Sequence, residues 1–85
     1  MSYRIEWTEN AKRAFRKLGK QPQRRLAKAI DALAEEPRPA GVKKLETTED
    51  LYRIRVGDYR VVYQLQDQAL LVLIVRVGDR KDIYR

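Results

Sequence analysis

Arg53, Arg55 and Arg60 are the residues whose types and spacing most suggest chemistry. The pair Gly57-Asp58 between them is typical of a two-residue hairpin turn with glycine in its first position. Such a turn places Arg55 directly opposite Arg60, and Arg53 points to the same face because side chains alternate along a strand. Opposed like charges repel, and such placement is tolerated mainly where an anion relieves the repulsion. The pattern therefore favours an anion-binding face, although a single arginine on a sheet surface is most often only solvated.

The composition limits which other chemistry is available. The 85 residues include no cysteine and no histidine. Thiol nucleophiles, thiolate metal sites, most zinc sites and the usual general base near neutral pH are therefore excluded. We expect no metal site and no cofactor.

The charge balance points to a polyanionic partner. Nineteen Lys and Arg against twelve Asp and Glu give a net charge of +7, which favours a nucleic acid or an acidic protein. Between Lys12 and Lys28 the chain carries eight basic residues and no acid. Most basic helix faces are solvated, and an RNA-binding surface is the alternative. The candidate RNA-binding or rRNA-binding residues are Lys12, Arg13, Arg16, Lys17, Lys20, Arg24, Lys43, Lys44, Arg76 and Lys81.

The first half of the chain predicts a strand followed by a helical hairpin. Apolar and polar residues alternate over positions 3–7, which is the period of a half-buried strand. Thr8 can cap a first helix, and Gly19 is placed to end it. The second helix is predicted to begin near Gln21-Pro22 and to stop before Pro37.

The second half predicts a three-stranded antiparallel meander over Leu51–Val56, Tyr59–Gln66 and Leu70–Val77. A two-residue loop before the last strand would bury the charge of Arg76 without a partner, at a cost of several kcal/mol. We therefore expect a three-residue loop that ends at Ala69.

This register gives the meander one apolar face and one basic face. Arg76 is then expected near Arg60 on the basic face. The residues of the last strand that are expected on the apolar face are Leu71, Leu73, Val75 and Val77. The predicted fold class is α+β, with one domain over residues 1–85. Its order is a strand, a helical hairpin and a three-stranded antiparallel meander, with the helices on one face of the sheet.

No segment resembles a signal peptide or a membrane span. The longest apolar run, 69–75, is far shorter than the ~20 residues that a spanning helix needs. We expect a soluble cytoplasmic protein with no membrane partner.

Two motifs carry a resemblance to a known family. The hairpin reads Gly57-Asp58-Tyr59-Arg60-Val61-Val62-Tyr63, and the chain ends in Arg80-Lys81-Asp82-Ile83-Tyr84-Arg85. Together with the order of elements, these motifs resemble the RelE/ParE toxins of bacterial and archaeal type II toxin–antitoxin systems. The resemblance covers essentially the whole chain. It is closer to the RelE branch, whose members cut messenger RNA in the ribosomal decoding site, than to the gyrase-poisoning ParE branch.

The resemblance implies a RelE-like microbial RNase fold and a ribosome-dependent endoribonuclease that inhibits translation. It implies as partners a cognate antitoxin, which neutralises the toxin, and the ribosome with its mRNA; DNA would be contacted only indirectly, through the antitoxin complex. The catalytic residues that it implies are Arg53, Arg55, Arg60, Arg80 and Tyr84. Positions 53 and 55 are lysines in well-studied relatives, and a guanidinium cannot act as a general base.

RNA cleavage without a metal needs three functions: a proton acceptor for the attacking 2′-hydroxyl, charge stabilisation at phosphorus, and a proton donor for the leaving 5′-oxygen. Tyr84 is the expected acceptor, because nearby cations lower the pKa of a phenol. Arg60 and Arg80 suit the phosphorane, because a guanidinium matches phosphate oxygens bidentately. Either Arg80 or Lys81 is the candidate donor.

Two other functions are compatible with the same sequence. A ParE-like inhibitor of DNA gyrase would use the same fold as a protein-binding module. A nucleic-acid-binding domain without catalysis would need only the basic first half of the chain.

Overall fold

A five-stranded mixed sheet with two helices on one face forms the body of the protein. The computed structural model describes residues 2–45 and 50–79. The predicted roles of Arg80, Lys81 and Tyr84 lie outside the described residues. In chain order the elements are β1 (Arg4–Trp7), α1 (Glu9–Arg16), α2 (Lys20–Ala32), β2 (Lys43–Lys44), β3 (Leu51–Val56), β4 (Tyr59–Gln66), a 3₁₀ turn (Asp67–Ala69) and β5 (Leu71–Asp79).

The strand order is β1-β5-β4-β3-β2, which confirms the predicted α+β class. The meander β3-β4-β5 is antiparallel, as predicted. The first strand runs parallel to the last, with Arg4 beside Leu71 and Trp7 beside Ile74. Strand β2, which has two residues and pairs antiparallel with β3, was not predicted from the sequence.

The helical hairpin forms nearly where the sequence predicts it. Thr8 caps α1, and its Oγ1 accepts a hydrogen bond from the backbone N–H of Ala11 at 3.1 Å. The role predicted for Gly19 is wrong: α1 ends earlier, and Gly19 is the N-cap residue of α2. The side-chain amide of Gln23 donates to the carbonyls of Phe15 and Leu18, at 3.2 and 2.8 Å, and so satisfies the end of the helix without a glycine cap.

The core lies between the helices and the sheet. Ala11 of α1 and Leu26 of α2 are fully buried in one cluster with Val61 and Tyr63 of β4. The hydroxyl of Tyr63 donates to the carbonyl of Pro37 at 2.6 Å, which gives this buried polar group a partner. Burial raises the pKa of the Tyr63 hydroxyl. In the part of the chain that the structure describes, no helix is long and apolar enough to cross a membrane.

The connection between β4 and β5 differs from the prediction by one residue. Gln66 pairs with Leu71, so the loop has four residues and ends at Leu70, whose φ is 51°. The extra residue turns Val72 and Ile74 toward the helices, where both are fully buried.

The predicted core positions of Leu71, Leu73 and Val75 are therefore wrong. Leu71 is buried, but it pairs with Gln66 on the face away from the helices, and the other two are half-buried. A bulge between Ile74 and Arg76 adds one residue to β5, so the residues after it point to the faces that the sequence predicts. Val77 is therefore buried, as expected.

Candidate active site

The β3–β4 hairpin has the predicted register. Arg55 pairs with Arg60, and Val56 pairs with Tyr59. Gly57 has a φ of +62°, which a two-residue type II′ turn requires at its first position. The Arg55 Nε donates to the carbonyl of Gly57 at 3.0 Å, so the turn itself helps to orient this guanidinium.

Strand β2 adds a fourth cation to the arginine face. Lys43 pairs with Arg53, and Lys44 pairs with Tyr52. Since cross-strand partners share a face, Lys43 lies on the side of the arginines and Lys44 on the side of the helices.

A tight turn sets the position of β2. The backbone N–H of Val42 donates to the carbonyl of Pro39 at 3.1 Å, and Gly41 between them has a φ of +84°. Glycine is favoured at such a turn because other residues rarely adopt a positive φ.

These residues enclose a cavity of about 190 Å³, lined by Gly41, Lys43, Arg53, Arg55 and Arg60. We call it the cationic cavity. Arg60 is 7% exposed and lies at its floor, Arg53 is half-buried, and Arg55 and Lys43 are exposed at its rim. No carboxylate is among these lining residues. Planar guanidinium groups around such a space suit the oxygens of a phosphate group.

Among the described residues, the other predicted RNA-binding residues do not line this cavity. Six of the eight basic residues of the helical hairpin are predicted to bind RNA, and these six are exposed on the helix side of the sheet: Lys12, Arg13, Arg16, Lys17, Lys20 and Arg24. The Lys12 ammonium lies 3.7 Å from Glu9. Arg76 is exposed on the face of the cationic cavity, but it pairs with Val62 and Arg60 pairs with Gly78. The structure therefore brings Lys43, Arg53, Arg55 and Arg60 together and leaves the helical residues as a separate surface.

A polar network that the sequence pattern does not indicate fixes the segment before β2. Arg38 Nη2 lies 2.8 Å from Asp67 Oδ2, and Arg38 Nε donates to the Tyr52 hydroxyl at 3.2 Å. The Tyr3 hydroxyl donates to the same carboxylate at 2.7 Å. The Arg38 guanidinium and the Tyr3 hydroxyl hold the pKa of Asp67 below its ordinary value. Since Arg38 directly precedes the Gly41 turn, this network positions β2 and, through it, Lys43.

Comparison with known proteins assigns the class. Residues 5–84 match the family described as ParE toxin of type II toxin-antitoxin system, parDE. The chain belongs to this family, and the predicted resemblance is confirmed.

Similar curated proteins carry RelE-type names. The chain is 33% identical over 88 residues to the mRNA interferase toxin RelE of Escherichia coli K12, covering 99% of this chain and 92% of that protein. It is 34% identical over 89 residues to the toxin RelG of Mycobacterium tuberculosis, covering 100% of this chain and 99% of that protein.

Solved structures show the same fold. The archaeal RelE-RelB complex from Pyrococcus horikoshii superposes with a TM-score of 0.84 at 36% identity, covering 94% of this chain and 97% of that one. The isolated E. coli RelE toxin superposes with a TM-score of 0.80 at 31% identity, covering 99% and 92% of the two chains. The predicted RelE-like fold is thus confirmed.

Proposed function

We propose that this protein is the toxin of a type II toxin–antitoxin system and cleaves messenger RNA in the ribosomal A site without a metal. The observation that carries the proposal is the cationic cavity, in which four basic side chains surround a space on one face of the sheet. The name mRNA interferase, borne by a relative that aligns over nearly the whole chain, supports this activity. Such a toxin inhibits translation and acts in the cytoplasm, where ribosomes are.

In this mechanism the cationic cavity holds the scissile phosphate. The Arg60 guanidinium at the floor is fixed by burial, so it needs little reorganisation to stabilise charge that develops on the non-bridging oxygens. Arg53 and Arg55 add positive charge around the same group. Tyr84 is the proposed base for the 2′-hydroxyl, and Arg80 is proposed to assist at the phosphorane. Attack of the 2′-oxygen then leaves a cyclic phosphate and a free 5′-hydroxyl.

The ribosome is proposed to hold the mRNA in the geometry that the reaction needs. The 2′-oxygen must lie in line with the departing 5′-oxygen, and holding reactants in such a geometry contributes up to ~7–11 kcal/mol to lowering a barrier. The exposed basic residues of α1 and α2 lie on the helix side of the sheet, away from the cavity. We assign them to ribosomal RNA, where they hold the toxin while the mRNA enters the cavity.

A cognate antitoxin is the second proposed partner. Crystal structures of RelE-RelB complexes from P. horikoshii and E. coli support a protein that binds the toxin chain. A net charge of +7 indicates that the partner's binding segment is acidic. DNA is contacted in this account only through the antitoxin.

The ParE description of the matched family favours one other candidate, inhibition of DNA gyrase. The two functions are separated by assaying the purified wild-type protein in both systems. We expect cleavage of mRNA on programmed ribosomes, little cleavage of the same RNA alone, and no effect on DNA supercoiling by gyrase. Loss of supercoiling activity with intact mRNA would contradict the proposal and establish the gyrase inhibitor.

A further inference from the structure

The cationic cavity contains one side chain whose proton chemistry differs from that of its neighbours. Arg53, Arg55 and Arg60 carry guanidinium groups, which stay protonated throughout the range in which proteins function. Lys43 carries an ammonium, which can donate a proton and take one back from water, whereas a guanidinium does not exchange its charge in this way. Among the described residues that line the cavity, Lys43 is therefore the group suited to proton transfer.

The position of Lys43 suits a donor to a departing group. Arg60 lies at the floor of the cavity and is 7% exposed, whereas Lys43 is exposed at the rim. A phosphate held by the arginines keeps its non-bridging oxygens toward the floor, so its bridging oxygens lie nearer the rim and solvent. A rim ammonium can also be reprotonated directly by water after each turnover.

Three features of the fold fix this side chain on the correct face. Pairing with Arg53 sets the orientation of Lys43 on β2. The Gly41 turn begins the strand, and the contacts of Arg38 with Asp67 and Tyr52 hold the segment before the turn. Lys44, the next residue, lies on the opposite face, with its Nζ 3.8 Å from Asp50 and 6.0 Å from the centre of the Tyr52 ring.

We infer that Lys43 is the general acid of the cleavage reaction and protonates the leaving 5′-oxygen. This inference rests on the proposed function. The 2′-oxygen forms a bond to phosphorus, and its proton passes to the phenolate of Tyr84. The bond between phosphorus and the 5′-oxygen breaks, its electron pair stays on that oxygen, and the oxygen takes a proton from the Lys43 Nζ. Water then returns a proton to the amine and removes one from the phenol.

A substrate that needs no acid tests this role. In an mRNA with a sulfur atom in place of the bridging 5′-oxygen at the cleavage site, the departing thiolate is stable without protonation. We compare single-turnover cleavage of the oxygen and sulfur substrates on programmed ribosomes for wild type, Lys43→Arg and Lys43→Met, with Lys44→Arg and Lys81→Arg as comparison variants. Lys43→Arg keeps the positive charge and removes the exchangeable ammonium, and Lys43→Met removes both.

Lys43→Arg is expected to cleave the oxygen substrate at least ~10²-fold more slowly than wild type, the usual scale for a lost general acid. Its rate on the sulfur substrate is expected to lie within a few fold of wild type. Lys43→Met is expected to be rescued by the sulfur substrate in the same way. Its rates on both substrates are expected to be lower than those of Lys43→Arg, because the positive charge is lost as well. Lys44→Arg, the matched control on the adjacent position, is expected to keep the wild-type ratio of the two rates.

Three results would overturn the inference. A near-wild-type rate of Lys43→Arg on the oxygen substrate would mean that the reaction needs only the positive charge at position 43 and not a proton from it. Equal slowing on both substrates would make Lys43 a positioning residue. If the sulfur substrate restored the rate of Lys81→Arg and not that of Lys43→Arg, Lys81 would be the general acid. If wild type cleaves neither substrate, it is the proposed nuclease function that has failed.

Discussion

Arg55 and Arg60 face each other across a hairpin, an arrangement that is unfavourable by a few tenths of a kcal/mol or more when no anion is bound. Arg60 is also largely buried, so the hairpin holds one of these two guanidinium groups away from bulk solvent. The fold therefore keeps positive charge concentrated in a confined space. Such concentration is typical of sites where stability is given up for the binding of charge that develops in a reaction.

The predicted role of Tyr84 can be tested by removing a single oxygen atom, that of its hydroxyl group. We expect Tyr84→Phe, which removes only the hydroxyl, to slow single-turnover cleavage on programmed ribosomes by ~10²-fold or more, because a general base is lost. Ribosome binding, measured by co-sedimentation, should change little. If Tyr84 acts by stacking on a base, phenylalanine will replace it well and alanine will not. A near-wild-type rate for Tyr84→Phe beside a slow Tyr84→Ala would therefore reject the base assignment.

At the scale of elements, β2 is the shortest strand beside the cavity, with two residues, and the Gly41 turn begins it. Gly41 has a φ of +84°, and a Cβ added there would meet no atom within 4 Å. Gly41→Ala therefore tests backbone conformation alone, with an expected loss of about 1–2 kcal/mol if the turn is kept.

We expect Gly41→Ala to relax this turn, displace Lys43 and lower the cleavage rate by about tenfold, since small misplacements of reacting groups are costly. Gly19→Ala is the control, because Gly19 has an ordinary φ of −68° and its added Cβ would make a normal contact with Pro22 at 3.7 Å. Circular dichroism should show both variants folded. Unchanged cleavage by Gly41→Ala would show that the turn does not position the site.

The Asp67 network predicts a pH dependence of stability. Its folded-state pKa is lowered chiefly by Arg38, so its stabilisation is complete above the unfolded-state pKa of about 3.9 and disappears as pH falls through the lower folded-state value. Asp67→Asn should therefore lower the free energy of unfolding near pH 7 by at most about 1 kcal/mol, because the carboxylate is half exposed, and the melting temperature should fall with it.

The difference between wild type and Asp67→Asn should shrink in thermal melts below pH 3. Asp31→Asn, on the exposed surface of α2, serves as the control for loss of a carboxylate. A melting-temperature difference that stays constant from pH 7 to pH 2 would show that the carboxylate acts by packing and not by its charge.

The elements differ in how far the sequence determines them. The Arg55–Arg60 register could be predicted because a two-residue turn with glycine first leaves one pairing. The length of the β4–β5 loop could not be predicted, because Leu70 adopts a positive φ although it is not a glycine. Strand β2 is too short to show a period, so nothing in the sequence indicated that Lys43 would pair with Arg53. The Arg38–Asp67 contact joins residues 29 apart and depends on the tertiary fold.

At the scale of the whole molecule, basic residues lie on both sides of the sheet: the cationic cavity on one face and the exposed residues of α1 and α2 on the other. A toxin held in the ribosome by one surface can then act on RNA with the other. An acidic antitoxin that covers either surface would block this arrangement and stabilise the folded chain by mass action, by about 2.7 kcal/mol at a concentration of 100 times its Kd.

We expect the affinity for the antitoxin to fall steeply as salt is raised, because exposed charges are screened over ~10 Å at 0.1 M. Titration calorimetry between 50 and 500 mM salt measures the slope, and melting of the complex at each salt concentration checks that both chains stay folded. A salt-independent Kd would mean that an apolar contact carries the interaction.

Whether the phosphate is cleaved in the cationic cavity is tested most directly by comparing arginines inside and outside it. Single-turnover cleavage of ribosome-bound mRNA is measured for wild type, Arg53→Ala, Arg55→Ala and Arg4→Ala; Arg4 is exposed on β1 beside Glu6. We predict that each cavity variant is at least ~10-fold slower, because a charge-assisted contact contributes about 1.5–3 kcal/mol, and that Arg4→Ala cleaves like wild type. Wild-type rates for both cavity variants would contradict the account and place the chemistry elsewhere on the chain.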